Sequence, residues 1–449
     1  MPMKQRTIII FLLLACMGVG NAQNGFNLPF SQFGLGEYGI GTNMAFAPGM
    51  GNTSLVRMGD NFINPFNPAT YAGVELESFV LNIGLSFQMQ GIANHESKVK
   101  DADGMLDHLL IAFPISKWWK TSFGLMPYGD VSYQSTINQE VAVPGADWKQ
   151  EVKTIYDGSG EVSRLFWGNG FNIGKRLSAG FNINYLYGSI NRAITHKHTA
   201  ADTSYFMDSR SQNQMRVHNF TFDLGLHYNQ PLGEHYELGI GVTCGLPKTL
   251  SIEQQSLIYT FVNNANNEYI CNLIFPQEGE SDTYNTDLQH PLEAGIGLSL
   301  TKDKLWMVEL DASYITQQLV GVSPFATSSS ISENNETPTT KFAIGFGWLG
   351  DKEASNYWRR IGINVGGHYY RSALCTEIYS STLSERNYSF DEMGVGMAIA
   401  FPMRRGKSQV VLNFNYTTFG TLDILKSNCF MIGLTLNSCE QWFVKRKYN

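Results

Sequence analysis

The sequence predicts an all-β chain, a transmembrane antiparallel β-barrel of about fourteen strands with its N-terminal segment inside the lumen. Three observations predict it: strict two-residue alternation, short turns alternating with longer polar loops, and an export signal with no helical anchor behind it. Phe220, Phe222, Leu224, Leu226 and Tyr228 share one face of a strand, against Thr221, Asp223, Gly225 and His227 on the other. Leu292, Ala294, Ile296, Leu298 and Leu300 stand opposite Glu293, Gly295, Gly297 and Ser299. Trp306, Val308, Leu310, Ala312 and Tyr314 stand opposite Met307, Glu309, Asp311 and Ser313, and Phe430, Ile432, Leu434 and Leu436 opposite Met431, Gly433 and Thr435. Successive side chains of a strand point to opposite faces. One face here suits hydrocarbon, and the other is small or polar.

The 449 residues show no linker or composition break, so one large barrel accounts for the whole length. Charged residues make up 16% and aromatics 13%, with 44 glycines, which suits a lipid-facing wall around a crowded lumen. A formal net charge of −7 argues against nucleic acid as a partner, because binding phosphate needs a basic surface.

At the N-terminus, Lys4 and Arg6 precede the apolar run Ile8 to Ala15, and Gly20-Asn21-Ala22 offers a small-residue cleavage site. Residues 1–22 are read as a signal peptide. Leu13-Leu14-Ala15-Cys16 also fits a lipoprotein cleavage box, so lipidation of Cys16 stays open. The later cysteines are Cys244, Cys271, Cys375, Cys429 and Cys439; a Cys244–Cys271 bridge and free thiols are both compatible with the spacing.

Residues 23–77 do not alternate. They are rich in Gly, Asn, Pro and Met, with Asn64-Pro65 and Asn67-Pro68-Ala69 near the end. Proline removes a donor and keeps its predecessor out of the helix region. The segment is irregular yet apolar, so its backbone needs partners that lipid cannot supply, and a barrel lumen offers them. Residues 78–449 then form the barrel. The strands centre near Leu81, Leu109, Phe123, Leu165, Ile183, Leu224, Ile240, Ile296, Val308, Ile344, Ile363, Met397, Leu412 and Leu434. Short turns follow the even-numbered strands: Pro114 to Lys117, Gly174 to Leu177, Gln230 to Glu234, Lys302 to Lys304, Gly350 to Ser355 and Met403 to Lys407. Long loops follow most of the others, the longest from Pro247 to Pro291. Short turns are periplasmic in single-chain barrels, which puts both chain ends there. Trp118, Trp119, Trp306, Trp348, Trp358 and Trp442 fall at that same end, as do Lys117, Lys120, Lys175, Arg176, Lys302, Lys304, Arg404, Arg405, Lys407, Lys445, Arg446 and Lys447. Trp prefers the bilayer interface and basic clusters prefer anionic headgroups.

These residues resemble the FadL/TodX family of outer-membrane transporters for hydrophobic compounds. The resemblance implies a fourteen-stranded barrel with an N-terminal hatch carrying an Asn-Pro-Ala motif, matched by Asn67-Pro68-Ala69 after Gly49, Gly51 and Gly59. The chain departs from that pattern in doubling the motif as Asn-Pro-Phe-Asn-Pro-Ala and in carrying Thr70 where the family usually has Gly. The ending Trp442 to Tyr448 looks like that of many Bacteroidota outer-membrane proteins. The family implies passive transport of a fatty-acid-like hydrophobic molecule, with outer-membrane lipid around the wall. In Bacteroidota, similar barrels also serve as non-transporting structural or docking subunits of secretion or barrel-assembly complexes, which is the alternative expectation.

Pro127, with Gly124 and Gly129, breaks an otherwise regular third strand. The resemblance implies a lateral gap there, and a harmless bulge is the other reading. The 247–291 loop carries Leu257, Ile258, Tyr259, Phe261, Val262, Tyr269, Ile270, Leu273, Ile274 and Phe275, which fits a ligand or partner surface, or two strand extensions packed on each other. His196 and His198, with Asp202 and Asp208, are two imidazoles in a flexible loop without a third spaced ligand, so no metal site is assigned. Glu309, Asp311, Asp223, Glu293, Arg360 and His368 are expected to face the lumen and bond the plug. With no Ser, His and acid on matching faces, neither an enzyme nor a cofactor is expected.

Overall fold

The computed structural model describes residues 31, 35–36, 48–59, 62–95, 97–142, 149–198, 207–264, 267–277, 281–316, 338–351, 354–377, 387–403, 408–422 and 425–441. Seventeen strands form one sheet. They are β1 (Ser78–Ala93), β2 (Lys98–Pro114), β3 (Trp119–Ala142), β4 (Lys149–Ile173), β5 (Leu177–His198), β6 (Asp208–Leu232), β7 (Tyr236–Gly245), β8 (Lys248–Asn264), β9 (Asn267–Phe275), β10 (Thr283–His290), β11 (Glu293–Lys302), β12 (Trp306–Ile315), β13 (Thr339–Trp348), β14 (Gly362–Glu377), β15 (Asn387–Pro402), β16 (Gln409–Thr421) and β17 (Leu425–Gln441). Each pairs antiparallel with its neighbour in the chain or, where the chain doubles back, with the next strand round. The circuit closes by pairing β1 with β17 from Ser78↔Gln441 to Ala93↔Lys426.

The wall has fourteen strands. β6 pairs with β7 through Asp223–Leu232 and with β8 through Asp208–Val217, so β7 and β8 are two halves of one wall strand broken at Leu246-Pro247. β10 and β11 are likewise one strand broken at Pro291-Leu292, with β10 on β8 and β11 on β7. β9 pairs with β8 outside the circuit. All fourteen strand centres read from alternation fall within these wall strands. Residues 247–291, read as one long loop, instead contain three strands. Two prolines without N–H groups stand side by side at the breaks, so the ladder is interrupted at one level and resumes above it.

The alternation sorts as lipid demands. Leu224, Ile296, Leu298 and Leu310 point outward at 46%, 50%, 42% and 47% exposure, and Leu412 and Leu434 face the same way half-buried. Their neighbours Glu309, Asn413 and Thr435 are buried inside. A closed sheet leaves no backbone group unpaired in hydrocarbon, which is why an apolar outer face and closure come together. Tight turns join β4 to β5 and β6 to β7, where Gly174 and Gly233 take φ of 80° and 72°. The exposed Trp118, Trp348 and Trp358 all lie at this short-turn end. The last of them sits in a single helical turn, Tyr357–Arg360, between β13 and β14. Arg360, expected in the lumen, belongs to that turn and donates to the Met403 carbonyl at 3.4 Å; it precedes the strand, so alternation does not govern it. At the opposite end the β1–β2 and β16–β17 connections are short as well. Trp442 to Tyr448 and Arg404, Arg405 and Lys407 lie outside the described residues, as do residues 1–22.

The wall is uneven in height. β3 to β6 run 22 to 25 residues, whereas β11, β12 and β13 have 10 each. Crossing the bilayer takes about 9–11 residues of tilted strand, so β3 to β6 and β8 continue well past it.

Leu298→Arg, at the middle of β11, is expected to destabilise the barrel by about 2–4 kcal/mol, the depth-dependent cost of a guanidinium on the lipid face. Equilibrium unfolding from lipid vesicles measures it; a loss comparable to that of Lys302→Arg at the rim would contradict the outward placement.

Candidate functional site

Residues 48–59 and 62–74 run inside the circuit and touch strands on both sides of it. The helical turn Pro48–Met50 contacts β13 to β16, and the turn Pro68–Gly73 contacts β3 to β6. This backbone makes few hydrogen bonds to itself, so inward side chains of the wall and side chains of the segment satisfy it.

On the β12 side, Asp311 Oδ2 accepts from the backbone N–H groups of Ser54 and Leu55 at 2.5 and 2.9 Å. Two residues earlier on the same face, Glu309 Oε2 accepts from Thr53 Oγ1 at 2.7 Å. His227 on β6 contacts the Val56 carbonyl through Nε2 at 3.0 Å. Asn82 on β1 accepts from Ile63 N at 3.1 Å while its amide donates to Asn437 on β17 at 2.7 Å, so the closing pair of strands also grips the segment.

The doubled motif has a structural reason. Asn67 caps the turn through Oδ1, which accepts from Ala69 N at 3.1 Å, and its amide donates to the carbonyls of Leu55 at 2.6 Å and wall residue Leu226 at 3.2 Å. Pro68 occupies the first turn position, where an N–H has no partner to lose. Asn64 repeats the device: Oδ1 accepts from Phe66 N at 3.1 Å, and the amide donates to the carbonyls of Ser54 and Arg57. Pro65 offers its carbonyl to Asn182 on β5 at 2.9 Å, and Asn182 Oδ1 in turn accepts from Tyr71 Oη at 3.0 Å. Thr70 is accommodated because its hydroxyl bonds back to the Asn67 carbonyl at 2.7 Å. The approach to the wall is so close that a Cβ at Gly180 would meet the Pro68 carbonyl and one at Gly225 the Asn67 amide oxygen. Asn82, Asn182 and His227 were not singled out from sequence. They stand among other small or polar residues on the inward faces of β1, β5 and β6, so alternation alone does not distinguish them.

Above this segment lies a cavity of about 160 Å³, lined by Pro127 and Tyr128 on one side and by Arg164, Glu293, Asp311 and Lys341 around it. Asp223, also expected inside, accepts from Asn184 at 2.9 Å and lies 4.0 Å from Arg164. His368 bonds Glu392 at 3.0 Å in the interior.

The β2–β3 ladder is short. It runs from Pro114↔Lys120 to Leu109↔Leu125 and stops there, although both strands continue. Pro127 stands two residues beyond. Tyr128 is bulged out of the β3–β4 register, which resumes at Gly129↔Val162. β2 has its own irregularity opposite Gly84 and Leu85, where Asp107 is the extra residue. From Met126 outward the two strands form a seam without ladder bonds among the described residues. On its inner side Ser31 Oγ accepts from Ser132 N at 3.2 Å, and the Leu35 carbonyl lies over Gly129. A Cβ at Gly124 would meet Phe166 and Leu110.

The other candidates separate. Tyr259, Phe261, Ile258 and Leu257 lie on β8, and Tyr269, Ile270, Leu273, Ile274 and Phe275 on β9. They make the strand extension and not a loop groove. His196 and His198 are the end of β5 and not a loop; His196 Nδ1 contacts Thr154 at 3.0 Å and His198 N donates to Asp208 at 2.9 Å. Among the described residues no three metal-ligating side chains gather. Asp202 lies outside them. Cys244 and Cys271 are both free thiols, with Cys244 in the wall and Cys271 on β9.

A family model described as BamG matches residues 3–449. The chain belongs to the BamG family. Among curated proteins none matches its sequence. Among solved structures, the chain shares its fold with the CymD monoaromatic hydrocarbon channel at 10% identity and a TM-score of 0.51, covering 88% of this chain and 97% of that one. The toluene transporter TodX of Pseudomonas putida is similar at 13% identity and a TM-score of 0.46, with 89% and 98% covered. A FadL homologue of Pseudomonas aeruginosa stands at 10% identity and a TM-score of 0.46, with 87% and 97% covered. The likeness to the FadL type is therefore one of barrel architecture, and the family is BamG.

Asp311→Ala is expected to orphan the buried Leu55 N–H, costing about 1–3 kcal/mol, and the partly buried Ser54 N–H at a smaller cost. The barrel should still run as a folded band on unheated gels, while cells become sensitive to a large hydrophilic antibiotic that the parent excludes. Unchanged exclusion would mean that Asp311 does not hold the segment in place.

Proposed function

We propose that this BamG-family barrel is a plugged, non-catalytic outer-membrane protein acting as a structural or docking subunit of an envelope assembly complex. On this reading residues 23–77 are its hatch, and the short-turn end faces the periplasm. The observation that carries the reading is the polar lattice between residues 50–74 and the wall. It crosses the lumen from β12 through β6 to β5, and the space left beside it is ringed by Arg164, Glu293, Asp311 and Lys341. An apolar ligand there would desolvate charges without pairing them, which is costly. The family label BamG, which differs from the channel name of the architectural neighbour CymD, supports the same reading. Tryptophans and basic residues gathered at the short-turn end support the orientation.

A second reading is sideways passage of a hydrophobic small molecule; the architectural neighbour CymD is by its printed name a monoaromatic hydrocarbon channel. The observation favouring it is the β2–β3 seam, with Pro127 lining the cavity beside it.

Purification of the native protein in mild detergent, followed by mass spectrometry, separates the two. The docking reading expects a stoichiometric protein partner; a bound lipid-like molecule with no partner protein would overturn it. The seam has its own test. Pro127→Val alone is the suitable variant, because side chains at Gly124 and Gly129 would strike neighbours already in place. Under the docking reading the variant leaves growth on hydrophobic nutrients at the parental level. A selective loss of such growth, with the variant folded in the membrane, would favour passage.

A further inference from the structure

Among the described residues β9 is an edge strand. Residues Asn267 to Phe275 pair with β8 on one side, and no described residue pairs with the other. Natural sheets blunt such edges with lysine, proline or a charge turned inward. β9 has none of these. Its one charge, Glu268, is engaged by Arg210 at 3.2 Å and by Tyr259 Oη at 3.0 Å. Arg210 also lies over the Phe261 ring at 5.3 Å, so the turn end of the hairpin is braced against β6. The strand is left neutral and apolar on both faces: Tyr269, Ile270, Leu273 and Ile274 are 55%, 62%, 50% and 43% exposed.

Lipid does not account for this surface. On β6 the outward apolar band ends at Phe220, and above it Arg216 pairs with Glu253 at 3.1 Å on the outer face. The β8 residues paired with β9 begin at Ile258, about 16 Å of strand farther out. A small ligand would cover side chains but leave the row of backbone N–H and C=O groups unmet. Only another extended chain supplies donors and acceptors at strand spacing. Register shifts at Cys271 and Ile274 limit the straight edge to Asn267–Ile270, so the complementary segment is short.

We propose that the free edge of β9 is a docking strand, adding a short, uncharged, apolar segment of a second envelope polypeptide as the next strand of the wall. The inference rests on the docking reading above and names the surface it uses, on the side away from the short-turn end.

Cys271 reports on it directly, being an exposed free thiol within β9. A membrane-impermeant maleimide is applied to intact cells and to the purified full-length protein, and the modified peptide is quantified over time. In cells the Cys271 rate should fall about tenfold below that of the purified protein, as a site about 90% occupied requires. A Tyr284→Cys variant, exposed on β10, should react equally in both. Ile270→Lys with Leu273→Lys should restore Cys271 to the purified rate; if the pair impairs folding on unheated gels, Ile270→Lys alone serves. Equal Cys271 rates in parental cells and purified protein would overturn the proposal. So would protection that survives the lysine variants, or protection shared by Tyr284→Cys, since neither depends on the edge. If a partner still co-purifies with a lysine variant whose Cys271 is open, the docking reading stands and the β9 assignment falls.

Discussion

A carboxylate that accepts two successive backbone N–H groups does for an irregular chain what a neighbouring strand does for a regular one. Asp311 does this for Ser54 and Leu55, and much of the interior follows from the same need. A segment without a ladder of its own survives in a lumen only if side chains supply the missing partners, because an unmet buried amide costs about 1–3 kcal/mol. The inward faces of β1, β5, β6 and β12 therefore carry Asn82, Asn182, His227 and the Glu309–Asp311 pair where a strand pattern alone would permit anything small. Asn64 and Asn67 do the reciprocal work from within the segment. The cavity that remains carries four charged side chains among its apolar ones.

How much of this was legible in the sequence depends on which physical rule governs each part. Period-two alternation governs the wall, and it located every wall strand, from Leu81 in β1 to Leu434 in β17. Turn chemistry marked Gly174 and Gly233. For the 247–291 region the sequence leaves a loop surface and two packed strand extensions both open, because its apolar residues occupy both faces, as they do in a strand pair standing clear of lipid. No alternation shows there, and Pro247 and Pro291 mimic loop boundaries. Arg360 misled for the opposite reason: alternation was extended one turn beyond the strand that imposes it. The residues that hold the interior were half legible. Glu309 and Asp311 stood out as acids on a barrel's inner face. Asn82 and Asn182 did not, since an asparagine on a small, polar face is unremarkable until its partner is known.

The wall combines two behaviours in one sheet. Around β11 to β14 it is a plain membrane wall, continuously paired and apolar outside. From β3 to β9 it rises past the bilayer, and among the described residues this arc has two edges, one along β3 from Met126 and the other along β9. Closure of the barrel removes edges only at the level where the circuit is complete.

The register of β1 against β17 bears on the order in which the molecule can assemble. β1 begins at Ser78, directly after the luminal segment, and its partner is the last strand of the chain. The bond that completes the circuit is thus the least local in the protein, and the entropy of bringing such distant residues together makes it late. Everything the lumen contains is enclosed by that step. With Gly180 and Gly225 pressed against Pro68 and Asn67, the segment fits its container too tightly to be threaded in afterwards. The wall must form around it, so the shape of the interior is set before the sheet is closed.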